Sequence, residues 1–180
     1  CRLADGRTLF DDVSMSLLST ATVGIVGPNG AGKSTFLKLL AGRGQDKLTE
    51  GAVRVKDGAR VTYLAQEPEL DEAKDVRGNV ALGGGAAAGL LARFEEINAA
   101  LSGEGQDLEG DFDALLEEQS EVMQQLDELD AWDLDRRVDA AMRALKLPPA
   151  DAPVATLSGG EKRRVALCRA LMEEPDVLLL

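Results

Sequence analysis

The residues with the clearest chemistry lie in the stretch 27–35, which fits the pattern G-x-x-x-x-G-K-[ST]. In this pattern the glycines let the backbone turn its N–H groups inward around an anion of phosphate size, and a helix that starts there adds the positive end of its dipole. The lysine reaches the β- and γ-phosphates of a nucleotide, and the next hydroxyl ligates Mg²⁺. The stretch therefore predicts a nucleotide site with Lys33 on the phosphates and Ser34 on magnesium. Its members are Gly27, Pro28, Asn29, Gly30, Ala31, Gly32, Lys33, Ser34 and Thr35.

The segments on either side of this loop must place it at a strand-to-helix turn. Residues 21–26 form a short apolar run that predicts a buried strand, and residues 34–41 predict a helix that Gly42 ends. The alternative is a glycine-rich turn with a chance lysine. Because strand, loop and helix are all in the required order, the phosphate-binding interpretation is favoured.

Further strands are predicted around this core. Residues 9–18 partly follow a two-residue period, residues 51–56 alternate regularly, a turn follows at Asp57-Gly58, and residues 60–64 predict another strand. The last two segments resemble an antiparallel hairpin. Small antiparallel strands attached to a phosphate-binding α/β core indicate two lobes within one domain.

Gln66 directly follows the last of these predicted strands. Because a side-chain amide can both donate and accept a hydrogen bond, Gln66 could reach the Mg²⁺ of a nucleotide or the attacking water. The alternative is a solvent-exposed polar residue at the end of a strand, and the residue alone does not decide between them.

A second informative stretch is Leu157-Ser158-Gly159-Gly160-Glu161, which leads into a predicted helix over 162–172. Ser158 and Glu161 have the spacing of a capping box. A capped helix start with two glycines also exposes N–H groups and a hydroxyl, which suits an anion. The two interpretations are compatible.

The acidic charge of the chain is concentrated in one segment. Residues 90–135 contain 15 Asp and Glu and one basic residue, Arg93, whereas the rest of the chain carries 17 acidic and 19 basic residues. Apolar residues recur at helical spacing over 90–101 and over 112–129, with a break at 102–110, which predicts a helical hairpin with a charged outer face. This face is either a solvated surface or part of a contact with a ribonucleoprotein. Because it would repel bare phosphates, such a contact would meet basic protein or would present Arg93 and the nearby backbone. Trp132 is predicted to anchor the base of the hairpin by packing.

Composition limits the class of protein. With 180 residues, 44% of them apolar, the chain can form one sizeable core. Cys1 and Cys168 are too few for a disulfide framework or a zinc site, which favours a reducing, cytoplasmic setting, and Cys168 is predicted to lie in the core. No apolar run approaches the roughly 18 residues of a membrane span. We expect a fragment of a longer protein, because the chain starts with Cys1 and ends inside an apolar run.

The order of these features resembles the ATP-binding cassette (ABC) ATPases. The resemblance implies an α/β fold, a P-loop NTPase cassette with an antiparallel β subdomain and an inserted α-helical arm. It makes 27–34 the Walker A loop that binds ATP and Mg²⁺, Gln66 the Q-loop residue, and Ser158 and Gly160 part of the signature that acts on the nucleotide of a second cassette. The implied regions are 1–81 (β subdomain, Walker A and Q-loop), 82–135 (acidic arm) and 136–180 (signature and the start of the Walker B strand). The Walker B aspartate, catalytic glutamate and switch histidine of the family would follow Leu180, so ATP hydrolysis is expected of the full-length protein and not of these residues alone.

Within that family the chain resembles the first cassette of an ABC-F translation factor. The 91 residues between Gln66 and Ser158 exceed the usual transporter insert, and Glu161 stands where transporter cassettes more often carry Gln. The resemblance implies a cytoplasmic twin-cassette ATPase without a membrane partner. It would bind the ribosomal exit (E) site, contact rRNA, ribosomal proteins and tRNA through an arm at 90–130, and regulate translation elongation. The alternatives are the nucleotide-binding subunit of an ABC membrane transporter and a non-hydrolysing nucleotide-binding scaffold.

Overall fold

A computed structural model of the chain describes residues 8–18, 20–44, 52–102 and 112–180. The chain divides into two compact units, one within Cys1–Tyr63 and Pro175–Leu180 and the other within Leu64–Glu174. The regular elements are α1 (Lys33–Leu40), β1 (Val61–Tyr63), α2 (Val76–Ala81), α3 (Ala86–Ser102), α4 (Phe112–Glu128), α5 (Leu134–Ala144), α6 (Gly159–Met172) and β2 (Val177–Leu179). Single 3₁₀ turns lie at Leu82–Gly84, Ala131–Asp133 and Val154–Thr156.

The first unit contains α1 and a two-stranded parallel sheet. Val61 pairs with Val177 and Tyr63 with Leu179. The register of the two strands is fixed where they begin, because Asp176 is bonded to Arg60. The Asp176 carboxylate accepts from the Arg60 N–H at 2.8 Å, and the Asp176 N–H donates to the Arg60 carbonyl at 2.9 Å. These bonds join segments far apart in the sequence.

The structure corrects the strand predictions in this unit. Residues 9–18 and 21–26 form no strand among the described residues, and Val26 is 92% exposed. A buried strand needs backbone partners along its edges, and the strands that the described residues do form, β1 and β2, pair with each other. The Asp57-Gly58 turn is present, but residues 52–56 form no strand, so β1 pairs with β2 instead of closing an antiparallel hairpin. Gly51 lies outside the described residues.

The second unit has its main core between α2, α5 and α6. The buried residues of this core are Val76, Val80, Leu134, Val138, Met142, Val154, Val165, Cys168 and Met172. They recur at helical spacing within each element, which is why three short helices can share one core. Cys168 is fully buried, as predicted, and burial raises the pKa of its thiol to about 11. Cys1 lies outside the described residues.

Helices α3 and α4 pack against each other around a second core of Ile97, Val122, Leu126 and Ala131. The two helices lie where the apolar spacing predicts them, and the stretch 103–111 between them lies outside the described residues. Trp132 packs edge-on against Phe94, with ring centroids 5.2 Å apart, and its indole N–H donates to Asp127. It therefore anchors the base of the helix pair, as predicted. Within the described residues, no helix has the length and apolarity needed to cross a membrane.

Candidate nucleotide-binding site

The phosphate-binding loop turns into α1 through two glycines. Helix α1 begins at Lys33, one residue before the predicted start, and Gly42 follows its end with a positive φ of 73°. Gly30 and Gly32 have φ values of 83° and 93°. This left-handed backbone is strained for other residues, and at Gly32 an added Cβ would also lie 3.3 Å from Leu9. The loop geometry thus explains the glycine spacing.

Lys33 folds back over this loop. Its ammonium donates to the carbonyl oxygens of Gly27 at 2.9 Å and Pro28 at 2.8 Å. An ammonium group has three donors, so two fix its position and the third is left for an anion.

The start of α1 has donors that suit a phosphate group. Gly32 is the N-cap residue and supplies no side-chain acceptor, so within the described residues no side chain caps the first N–H groups of the helix. Ser34 lies in the first turn and is exposed. An anion at this point would accept from backbone N–H groups at the positive end of the helix dipole. The residues present therefore fit a nucleotide phosphate.

Binding of Mg²⁺ at this site would require the nucleotide as well as the protein. No group of three or more His, Cys, Asp or Glu side chains that could hold a metal occurs among the residues the structure describes. Mg²⁺ in nucleotide sites commonly takes one or two protein ligands plus phosphate oxygens and water. The Ser34 hydroxyl suits that arrangement.

The predicted signature residues form the start of α6. Ser158 is the N-cap and forms the predicted capping box with Glu161: its N–H and hydroxyl donate to one carboxylate oxygen, and its hydroxyl accepts from the Glu161 N–H. These bonds from Ser158, first of all the hydroxyl bond, lower the pKa of Glu161. Gly159 and Gly160 are exposed, and an added Cβ on either would meet nothing within 4 Å. The glycines leave open space in front of the helix start.

Comparison with known proteins decides the family. A family model described as "ABC transporter" matches residues 10–180. The chain belongs to the ABC transporter family. The match spans the loop at 27–34, Gln66 and the start of α6. The names Walker A loop, Q-loop and signature denote these segments by position, and their roles are proposals.

The chain is similar to proteins named "Energy-dependent translational throttle protein EttA". It is 47% identical to that of Mycobacterium tuberculosis and 40% identical to that of Escherichia coli, each over 174 residues, which are 97% of this chain and 30% of the relative. It is 32% identical over 177 residues to the uncharacterized ABC transporter ATP-binding protein YfmR of Bacillus subtilis. These relatives confirm the resemblance to ABC-F proteins and show that it is to the EttA type. The chain spans about a third or less of their length.

Gln66 of this cassette lies in an exposed bend after β1, in the unit of α2–α6. The backbone that follows it is held by the signature helix, because the Arg169 guanidinium donates to the carbonyl of Glu69 at 3.0 Å. This contact was not predicted from the sequence, since no local pattern relates two residues so far apart.

Asn79 is a second residue that sequence reasoning missed. It is fully buried, and its amide nitrogen donates to the carbonyls of Asp71 and Asp75 at 2.9 Å, while its oxygen accepts from the Asp71 N–H at 2.8 Å. These bonds hold the segment that precedes α2 against that helix. The available signal was a polar residue on the same helix face as Val76.

Arg93 pairs with acidic side chains of the hairpin itself. The guanidinium makes two bonds to the Glu118 carboxylate, at 2.7 and 2.8 Å, and a third to Glu96 at 3.0 Å. The bonds to Glu118, first of all, and to Glu96 raise the pKa of Arg93, and Arg93 lowers the pKa of Glu118. Arg93 therefore joins the two helices of the hairpin while its side chain stays 46% exposed, and its contact with a partner stays a prediction.

Proposed function

We propose that this chain is the first ATP-binding cassette of an ABC-F protein that regulates translation elongation at the ribosome. The observation that carries the proposal is the geometry of the Walker A loop. Two glycines with left-handed backbone, a helix start without a side-chain cap and the Lys33 ammonium, which is bonded to loop carbonyls, all lie in this one turn. These groups suit the phosphates of ATP.

The residues would divide the work as follows. Lys33 and the loop backbone hold the phosphates, Ser34 ligates Mg²⁺, and Gln66 senses the ion or the attacking water. Ser158 and Gly160 complete the nucleotide site of a partner cassette in the same protein. The division into 1–81, 82–135 and 136–180, with an antiparallel β subdomain in the first region, belongs to the same proposal.

ATP hydrolysis to ADP and phosphate is proposed for the whole protein. Stabilising groups supplied in trans can accelerate phosphoryl transfer by about 10³ to 10⁵. A site completed only when two cassettes close would therefore make turnover depend on the partner. The closed state would be the ribosome-binding state, and hydrolysis would release it.

The α3–α4 hairpin is proposed as the arm that contacts the ribosome. The printed name of the EttA relatives, a translational throttle, supports a role in translation for those proteins. Because the hairpin is acidic and Arg93 is paired with Glu96 and Glu118, we propose that its direct contact is a basic ribosomal protein, with rRNA and tRNA of the E site nearby rather than on this face.

The nucleotide site is tested with Lys33→Ala. Lys38→Ala is the matched control, because Lys38 is an exposed lysine in the last turn of the same helix. Binding of a fluorescent ATP analogue with Mg²⁺ should be abolished in the first variant and unchanged in the second. Unchanged affinity in Lys33→Ala would show that the loop is not the phosphate site.

The arm is tested with a double variant, Glu117→Gln with Glu121→Gln, on the exposed side of α4. The control double variant is Asp57→Asn with Asp151→Asn, which removes the same charge at exposed positions elsewhere. ATP-dependent cosedimentation of the intact protein with ribosomes should weaken only for the α4 pair. Equal binding by both double variants would contradict an acidic contact.

A further inference from the structure

The first turn of the signature helix already holds a negative charge of its own. Ser158 donates to one carboxylate oxygen of Glu161 twice, from its N–H at 2.9 Å and from its hydroxyl at 2.6 Å. A serine hydroxyl carries a single proton. While that proton is given to Glu161, Ser158 cannot donate it to a phosphate.

Some of the other N–H donors of this turn already have acceptors and others do not. The Lys162 N–H donates to the Ser158 carbonyl at 2.9 Å, and the Glu161 N–H is directed to the Ser158 hydroxyl at 3.4 Å. Within the described part of the chain, the N–H groups of Gly159 and Gly160 have no acceptor. A phosphate can therefore reach the glycine donors freely but meets a bound carboxylate at the serine.

We propose that Glu161 sets the ATP concentration at which the signature closes, because its carboxylate holds the Ser158 hydroxyl until a triphosphate displaces it. The inference rests on the proposed function, in which Ser158 contacts the nucleotide of a partner cassette. Closure must break a charge-assisted hydrogen bond and bring phosphate oxygens close to a like charge. Arg164, whose charge acts on Glu161, offsets part of this repulsion.

The test is Glu161→Gln in the intact protein, with closure followed by energy transfer between dyes on the two cassettes during titration with a non-hydrolysable ATP analogue. Glutamine also serves in a capping box, so the helix start is kept while the charge is removed. The analogue concentration for half-maximal closure should fall by about fivefold, the factor expected when a charge-assisted bond becomes a neutral one. Asp57→Asn, which removes the same charge from an exposed turn, should leave it unchanged.

Two further measurements separate this role from a structural one. A weaker cap alone would lower both thermal stability and closure, whereas the proposal requires tighter closure without a gain in stability. In a Ser158→Ala background, Glu161→Gln should no longer tighten closure, because there is no hydroxyl to release.

The outcomes distinguish the inference from the function on which it rests. If Ser158→Ala alone leaves closure unchanged, the signature role itself fails. If Ser158→Ala weakens closure, the proposed function stands. The role of Glu161 is then overturned if Glu161→Gln does not tighten closure, or if it tightens closure equally in the Ser158→Ala background.

Discussion

Gly83 lies where the segment after α2 meets the signature helix. A Cβ at this position would overlap the carbonyl oxygen of Arg169 and lie 2.7 Å from the Cβ of Met172. Both atoms belong to the core side of α6 and cannot rotate away, so Gly83→Ala should lower the free energy of unfolding by about 1–3 kcal/mol. Urea denaturation followed by circular dichroism measures this change.

The matched control for that substitution is Gly89→Ala. Gly89 is exposed within α3, and a Cβ there would meet nothing within 4 Å. Alanine should raise the stability by about 0.5–1 kcal/mol, because it restricts the unfolded chain and favours helix. The same sign for both substitutions would contradict the close packing at Gly83.

Asn79 is expected to contribute more to stability than other amides in the chain. Asn79→Ala removes its bonds to Asp71 and Asp75 and leaves a small cavity, which should cost about 2–3 kcal/mol of unfolding free energy. Asn98→Ala is the comparison, since it removes one bond, from the Gln119 amide, and should cost about 1 kcal/mol. Thermal unfolding of both variants ranks their losses of stability. An equal loss would contradict the larger contribution expected of the buried Asn79.

At the residue scale the sequence revealed the local chemistry and not the distant contacts. The capping box of Ser158 and the glycines of the Walker A loop depend on neighbours a few residues away, and both have the predicted geometry. The bond from Arg169 to Glu69 depends on how α6 packs in three dimensions. A pattern of spacing contains no information about such a contact.

The α3–α4 hairpin joins its helices through a pH-sensitive ion pair. Arg93 holds the pKa of Glu118 below the ordinary value of 4.5, so the pair stabilises the folded hairpin above that pH and the contribution is lost as the pH falls through the lowered pKa. Glu118→Gln should therefore have a lower unfolding midpoint than the native chain at pH 7. The difference should vanish at low pH, where Glu118 is protonated in the native chain too.

Glu117→Gln controls for the loss of a carboxylate beside the pair. Glu117 lies next to Glu118 on α4 but makes no ion pair among the described residues. The difference between the unfolding midpoints of Glu117→Gln and the native chain should not change between pH 7 and low pH. Denaturant midpoints across the pH range test this, and parallel curves for native chain and Glu118→Gln would exclude the ion pair as the cause.

Helices were predicted better than strands. Of the strands predicted from spacing, only the one at 60–64 is confirmed among the described residues, and the reason is physical. An α-helix satisfies its backbone within one segment, so the apolar spacing of α3 and α4 was enough to locate them. A strand satisfies its backbone only with another segment. The apolar run 21–26 has a suitable composition for a strand, yet β1 and β2 pair with each other and leave it without a ladder.

For the molecule as a whole, the division into two units predicts unequal protection of the backbone. The interiors of α5 and α6 lie in the main core of the second unit, whereas residues 21–26 of the first are exposed and outside any sheet. Amide hydrogen exchange should therefore be slow in α5 and α6 and fast at 21–26.

Nucleotide should change this pattern at the Walker A loop. If ATP with Mg²⁺ binds the Walker A loop, the N–H groups at the start of α1 gain phosphate acceptors, and their exchange should slow on addition of ligand. The α3–α4 hairpin, in the other unit, serves as an internal reference and should be unaffected. Lys33→Ala should abolish the slowing at 27–35 and leave exchange in α6 as it was. Slowing that persists in this variant, or that occurs first in the hairpin, would mean that the nucleotide binds elsewhere on the chain.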